Sequence, residues 1–307
     1  MNYPSIARSL IGSTGFKVNI SGRRKRLLLS ACDTIFNDAR TPGLVTLNIG
    51  DTSLRLDLSN PAERLLYYAP ENLLAGYRRS DLYDIQSRLA ANGGTFVDIG
   101  ANLGIYSFLA RELGFEALLF EPEPIHNAFL ARNAHAFGTV IDCALSDTSG
   151  TTDFFVSGEE NSGSSSLVMP EGGWSESEYK RVIPVRLATF DEIAAERRIN
   201  LANIRLIKID VEGNEEQTVL GMRNYLARPD VAPIWCEVRG PSSGRGRNSV
   251  SYVSSFLEEF GLLPFTYRKG ALIPYRVGQD EAPQVFDLLF ANIARHKQSL
   301  QLQTSRP

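Results

Sequence analysis

From Leu44 onward, apolar residues recur at the spacings of regular secondary structure. Val45, Leu47 and Ile49 alternate with polar residues, Gly50-Asp51 supplies a turn, and Leu54, Leu56 and Leu58 resume the alternation. Side chains alternate across a strand, so the pattern predicts a β-hairpin with one buried face. Leu82, Ile85 and Leu89 then share one helical face, predicting a helix over residues 80–91 that Gly93-Gly94 ends. From Thr95 the period switches repeatedly. Short buried strands are predicted at 96–99, 117–120, 140–145, 206–209 and 234–236. Helices fall between or after them at 106–113, 125–137, 190–197, 215–226 and 250–260. Strand–helix alternation is the signature of a parallel sheet covered on both faces. Residues 152–156 and 182–187 read as extra strands, and 262–267, 271–275 and 285–290 as antiparallel strands that finish the sheet. The expected architecture is α/β and Rossmann-like: a mostly parallel sheet with helices on both faces over 95–307, and an N-terminal extension over 1–94 carrying the hairpin and one helix. The first forty residues show mixed, weakly periodic signals and predict no element.

Composition changes this picture little. The 307 residues are 43% hydrophobic and 22% charged, with a net charge of −3, which gives no electrostatic reason for nucleic acid as a partner. The basic run Arg23, Arg24, Lys25, Arg26 is short and reads as a solvated face. The Leu27-Leu28-Leu29-Ser30-Ala31-Cys32 that follows resembles a lipoprotein cleavage site, but its apolar part is far below the ~7–15 residues of a signal core. No window approaches the ~20 apolar residues of a membrane span. Cys32, Cys143 and Cys236 are odd in number and form no metal-type spacing, so a cytoplasmic, reducing setting is expected. Residues 157–180 are rich in Gly and Ser around Trp174 and Tyr179, which suits either a lid over an acceptor or a plain linker.

The chemistry lies where strands end. Asp98-Ile99-Gly100-Ala101-Asn102-Leu103-Gly104 joins the first strand of the sheet to its helix. Small residues there let a ligand approach the backbone, and the helix start offers free N–H groups to an anion. The glycines are four apart, and Ser107 stands where a dinucleotide fingerprint has its third glycine. An acid within the loop suits a ligand carrying both a carboxylate and cationic groups, as S-adenosylmethionine does, better than a diphosphate. Glu121, before Pro122 at the end of the second strand, is placed to accept ribose hydroxyls. Asp142, Ala144 and Leu145, around the end of the third strand, are expected near an adenine, with Asp142 receiving its amino group. Lys208, Asp210 and Glu212 close the fourth strand, and Glu237 closes the fifth. So many ionisable groups beside buried aliphatics are costly unless they pair or work.

Together, residues 98–107, Phe120-Glu121-Pro122, Ala144-Leu145-Ser146-Asp147, Leu206 to Gly213 and the closing Asp287-Leu288-Leu289-Phe290 resemble the FkbM-type methyltransferases. The resemblance covers about 95–293, with 65–89 similar to the family's lead-in. It implies a class I methyltransferase fold, S-adenosylmethionine as cofactor, and methyl transfer to oxygen on sugars, glycans or polyketide-like metabolites. Asn214 departs from the small or different polar residue that many members carry there.

Methyl transfer needs the nucleophile aligned with the methyl group and sulfur, and water kept out. A hydroxyl acceptor also needs a base or a metal. His126 and His135 are expected on the outer side of their helix and His296 in the tail, so Asp210, Glu212 and Glu237 are the candidates, with Lys208 beside them. They would act directly, or Asp210 and Glu237 would hold a magnesium ion. Two rivals are a non-catalytic scaffold that binds the same cofactor and a nicotinamide-dependent oxidoreductase, the latter lacking its glycine motif.

Overall fold

The structure is a computed structural model that describes residues 44–68, 70–157, 165–168, 179–240, 249–268, 270–280 and 283–300. The basic run at 23–26, Cys32 and most of the 157–180 segment, including Trp174, lie outside the described residues.

The hairpin forms as expected, from β1 (Leu44–Ile49) and β2 (Thr52–Asp57), in register from Leu44↔Asp57 to Ile49↔Thr52. Two short helices follow that periodicity did not reveal: α1 (Pro61–Tyr68) and α2 (Pro70–Tyr77). Each starts on a proline, whose fixed φ and missing N–H suit a first helical position. The expected third helix is α3 (Asp81–Leu89), capped by the Ser80 hydroxyl, which accepts from the Tyr83 N–H.

The α/β region runs β3 (Thr95–Ile99), α4 (Ile105–Glu112), β4 (Glu116–Phe120), α5 (Pro124–Arg132), α6 (Ala134–Phe137), β5 (Thr139–Ile141) and β6 (Ala144–Leu145). It continues through β7 (Gly150–Ser157), β8 (Tyr179–Ala188), α7 (Phe190–Glu196), β9 (Ile204–Ile209), α8 (Glu215–Leu220), α9 (Arg223–Leu226) and β10 (Ile234–Arg239). The end comprises α10 (Ser249–Glu258), β11 (Leu263–Arg268), β12 (Ala271–Pro274), β13 (Val285–Ala291) and α11 (Ile293–His296).

Eight strands form one sheet in the order β12-β11-β13-β10-β9-β3-β4-β5. The five from β10 to β5 are parallel, and β13, β11 and β12 each pair antiparallel. The chain steps outward from β3 to β4 on one side and later returns to β9 on the other. That reversal opens a crevice at the carboxyl ends of β3, β4 and β9. Val97, Ile99, Ile207, Ile209 and Cys236 pack one face against Phe190, Ile193, Val219 and Val253. On the other face, Phe96, Leu206, Trp235 and Leu289 meet Leu82, Ile85 and Ala110. Helices therefore cover both faces, and the architecture is the expected Rossmann-like α/β fold, a mostly parallel sheet with an antiparallel end. No helix among the described residues is long and apolar enough to cross a membrane.

Three expected elements are each split in two. The strand expected over 140–145 breaks at Asp142-Cys143: β5 stays in the large sheet, while β6 pairs with β8 in a separate sheet β6-β8-β7. The helix expected over 215–226 breaks at Gly221-Met222, where Gly221 lies so close to the Ser146 carbonyl that a Cβ would come within 2.0 Å of it. The helix expected over 125–137 breaks at Asn133.

Asn133 also docks the hairpin. Its Oδ1 accepts from the Arg55 N–H at 2.7 Å, and its Nδ2 donates to the Arg55 carbonyl at 2.9 Å. The carboxamide thus mimics the next strand for β2. Arg132 reinforces the junction, ion-paired to the buried Glu63 at 2.6 Å. Around it Leu47, Leu54 and Leu56 share one core with Phe108, Phe129 and Phe137 of α4, α5 and α6. Asn133→Ala removes both bonds and leaves the Arg55 N–H without its acceptor, while the Arg55 carbonyl keeps Arg132 Nε, so it is expected to destabilise by about 1–3 kcal/mol in urea denaturation. An unchanged midpoint would mean that the apolar contacts alone hold the hairpin.

Candidate functional site

The loop after β3 is shaped by contacts from both neighbouring strands. The N–H groups of Gly100 and Ala101 both donate to the Phe120 carbonyl at the end of β4. Gly100 has φ of +77°, and a Cβ there would sit 1.9 Å from the Asp210 carbonyl oxygen, so only glycine lets the two strand ends touch. Asn102 also takes a positive φ, of 51°. Its N–H donates to Glu121 Oε2 at 2.6 Å, while Glu121 Oε1 accepts from the Glu123 N–H at 2.8 Å. Burial raises the Glu121 carboxyl above the usual range, against the pull of nearby His126 and these amides.

Beneath the loop lies a buried ionic cluster. Asp98 and Lys208 are register partners on β3 and β9, and Lys208 Nζ is 3.2 Å from Asp98 Oδ1. The ammonium also donates to the Gly100 carbonyl at 3.0 Å and pairs with Asp210 at 3.4 Å. The Ser107 hydroxyl donates to Asp98 Oδ2 at 2.7 Å. Burial opposes the Lys208 charge, but Asp98 and Asp210 outweigh it and raise its pKa.

The cleft above has an empty volume of about 620 Å³, mouth included. Gly100, Asn102, Glu121, Pro122, Ala144, Leu145 and Asp210 line it, which brings together seven of the positions expected near a cofactor. Four others stand behind the loop. Asp98 and Ser107 are held in the cluster beneath it, Ala101 is packed in the core, and Gly104 is pressed on Leu130 and Phe137. Asp142 is exposed and forms no part of the cleft wall, so its expected contact with an adenine is not supported by its placement. The physical reason is the break after β5, which turns Cys143 inward in its place.

The carboxylates at the ends of β9 and β10 converge as expected. Asp210, Glu212 and Glu237 each offer an oxygen within 4.8 Å of the others. Arg239, which the shorter strand expected at 234–236 left unnoticed, sits among them, 2.7 Å from Glu212 and 3.4 Å from Glu237. Burial and the neighbouring Asp210 and Glu212 charges push Glu237 up to about 8. Glu212 has φ of 57°, and its carbonyl accepts from the Ser166 hydroxyl at 2.6 Å.

Several cleft residues were not anticipated. His126 is buried rather than outward, with Nδ1 3.5 Å from Glu123 Oε2, because the start of α5 faces the cleft. His135 is exposed, as expected. His296 is buried and not in a loose tail, its ring nitrogens meeting the Asn292 N–H and the Val231 carbonyl. Asn214 donates to the Leu145 carbonyl at 2.9 Å, tying the start of α8 to β6. Phe154, Ser165 and Leu167 close the wall from outside the large sheet.

Residues 98–263, more than half of the chain, match the sequence profile of the methyltransferase FkbM domain. No curated protein matches the chain in sequence. Among solved structures, the chain is similar to precorrin-6y C5,15-methyltransferase from Geobacter metallireducens GS-15, at 13% identity over 68% of this chain and 85% of that one, with a TM-score of 0.34. A TehB-like SAM-dependent methyltransferase from Corynebacterium glutamicum shows 14% identity over 75% and 98%, TM-score 0.34. The 1,6-didemethyltoxoflavin-N1-methyltransferase of Burkholderia thailandensis, with 1,6-didemethyltoxoflavin and S-adenosylhomocysteine bound, shows 12% over 80% and 96%, TM-score 0.33.

One buried acid makes the site's electrostatics measurable. Glu215 is fully buried, and desolvation pushes it up to about 7 although the Gly213 N–H donates to Oε1 at 2.8 Å. The folded state therefore holds a proton that the unfolded chain releases near 4.5. This stabilisation is complete below about pH 4.5 and is lost as pH rises through about 7. Relative to Glu215→Gln, which does not titrate, the wild type should lose about 3 kcal/mol across that window in urea unfolding. Parallel stability curves for the two proteins would show that Glu215 is ionised in the fold.

Proposed function

The chain belongs to the FkbM methyltransferase family, and from that premise we propose that it transfers a methyl group from S-adenosylmethionine to a hydroxyl of a small-molecule or glycan acceptor. The observation that carries the reading is the meeting of two features at Asp210. A glycine-walled cleft with Glu121 on one side ends against a carboxylate trio containing one group with a raised pKa. In this reading the carbonyls of the Gly100–Asn102 turn, whose three N–H groups already donate to Phe120 and Glu121, take the ammonium at the amino acid end of the cofactor, and Glu121 accepts the ribose hydroxyls. Both Glu121 oxygens keep a further lone pair beyond the amides they already bind. Ala144 and Leu145 flank the base. S-adenosylmethionine supplies an activated methyl group, so the chain's own task is to align the acceptor, exclude water and take a proton.

Glu237 is the proposed base, because a base works best with a pKa near the operating pH. Asp210 and Glu212 raise that pKa, and Arg239 limits the rise. A magnesium ion at Asp210 and Glu237 is the weaker reading, since the Arg239 guanidinium already compensates two of the three carboxylates. A nicotinamide-dependent activity is set aside by the family assignment. The scaffold alternative predicts cofactor binding without turnover. Residues 1–94 are taken as an extension to a catalytic domain over 95–307. The free, buried Cys143 and Cys236 support a reducing, cytoplasmic setting.

Glu121→Ala should weaken S-adenosylmethionine binding by about 1.5–3 kcal/mol, the value of a hydrogen bond to a charged group. Wild-type affinity by calorimetry in a folded variant removes Glu121 from the site. For the chemical step, Glu237→Gln is expected to lower kcat by ~10²–10⁴. Wild-type kcat should climb as pH rises through about 8, where Glu237 ionises, and the variant should lose that limb. Activity abolished by a chelator and restored by magnesium would favour the metal reading. Wild-type turnover in both Glu237→Gln and Asp210→Ala would leave alignment as the whole of catalysis.

A further inference from the structure

A second cleft, with an empty volume of about 980 Å³, lies between the start of α3 and the antiparallel end of the sheet. Tyr106, Trp235, Tyr267, Tyr275 and Phe286 line it, with Asp287 among them. Trp235 is the register partner of Lys208 between β10 and β9, and Asp287 lies opposite Glu237 between β13 and β10. The cleft therefore adjoins the carboxylates at the strand ends, on the side of the sheet away from β4 and Glu121.

Its charges decide what it can hold. Asp81 and Asp287 bring two negative charges to the lining, and Arg268, exposed at the end of β11, brings one positive charge. Behind the walls, Lys208 is outnumbered by Asp98 and Asp210, and Asp84 is matched by Arg88. The balance is acidic even with Arg268 counted. Asp287 is its centre. The Trp235 side chain hydrogen-bonds the Asp287 carboxylate, but among the described residues no basic side chain forms an ion pair with it. The aromatic rings add attraction of the same sign, because a ring face carries negative potential and draws a cation. Tyr106 shows the effect within the fold, with Lys208 Nζ 6.0 Å from its ring centroid. The phenols of Tyr106 and Tyr267 are engaged by Ser80 and Asp84, whereas the Tyr275 hydroxyl is buried without a hydrogen-bond partner. Its oxygen is an unused acceptor for an N–H donor. An anionic ligand would be repelled by Asp287, and a neutral one would leave that carboxylate unpaired.

We propose that this cleft is a site for an alkylammonium group, and that the acceptor carries one in addition to the hydroxyl it presents to Glu237. The proposal rests on the hydroxyl-transfer reading above, and it gives that reading a source of selectivity. An amine held as its ammonium beside Asp287 has no lone pair with which to attack the methyl group, so the hydroxyl reacts instead. The hydroxyl oxygen forms the new C–O bond as the methyl–sulfur bond breaks, the sulfur keeps the electron pair, and Glu237 takes the proton.

The protein's own fluorescence tests the site. The chain has two tryptophans, so in Trp174→Phe the emission comes from Trp235 alone. This protein, loaded with S-adenosylhomocysteine, is titrated with linear amino alcohols of increasing length, and with the diol and the hydroxy acid matching each. At least one amino alcohol is expected to change Trp235 emission saturably, with a Kd about tenfold below that of its diol. Asp287→Asn should abolish that preference while S-adenosylhomocysteine affinity by calorimetry stays the same. Arg268→Ala should tighten amino alcohol binding by about two- to threefold, because it removes a like charge; loss of a merely structural residue would not improve binding. No saturable response to any amino alcohol, or equal affinity for its diol, overturns the site. So does tighter binding of the hydroxy acid that is lost in Arg268→Ala, which would mark an anion site. Charge-dependent binding with no methyl transfer to the bound hydroxyl sustains the site and removes the hydroxyl-transfer reading. Transfer to an amino alcohol at wild-type KM in Asp287→Asn does the reverse.

Discussion

The buried ion pair between Lys208 and Asp98 is the interaction on which the site depends. A lysine and an aspartate almost out of contact with water are expensive to bury, and the arrangement survives because each charge is used several times. Lys208 reaches Asp98, Asp210 and the Gly100 carbonyl, while Asp98 also takes the Ser107 hydroxyl. The ammonium therefore joins the loop after β3, the end of β9 and the first turns of α4 at one point. Replacing Lys208 alone would leave the buried Asp98 without its cation under the cleft, at a cost of about 3–5 kcal/mol.

From that point the architecture works outward in both directions along the sheet. On one side Glu121 and the glycine loop shape a cleft whose walls mix acids such as Asp210 with apolar side chains such as Leu145 and Phe154. On the other, Tyr106 and Trp235 form an aromatic wall against the same lysine. The parallel strands give the first side its free strand ends. The antiparallel return of β13 beside β10 gives the second side its closed wall. A mixed sheet thus builds two unlike clefts from one set of strand ends.

Much of this was legible because strand ends and tight loops are local features. The seven-residue loop from Asp98, the acid at Glu121 and the carboxylates after β9 and β10 announced themselves by position along the chain. What local pattern does not carry is the partner. Asp98 sits in a motif that suggests cofactor contact, yet its orientation is decided by Lys208, distant in sequence but adjacent across β3 and β9. Asn133 reads as an ordinary residue inside a helical run until β2 is placed against it. Asp142 and Cys143 look like one continuous strand, and only the pull of β8 on Ala144 and Leu145 divides them. Arg239 was missed for a simpler reason: β10 runs three residues past its apolar stretch, where alternation continues with charged side chains.

The docking of the hairpin by Asn133 has a consequence for how the molecule assembles. β1 and β2 leave the ribosome before the other described elements, yet a lone two-stranded hairpin is at best marginally stable in water. Its anchor lies 78 residues further along, and the central strand β3 waits longer still, since the lysine that neutralises Asp98 arrives with β9. Contacts of such long sequence separation slow folding. The nascent chain therefore carries an unfinished apolar hairpin until α6 is made and an uncompensated acid until β9 is made, and this enzyme is a protein for which early chaperone protection would matter more than for one built from local contacts.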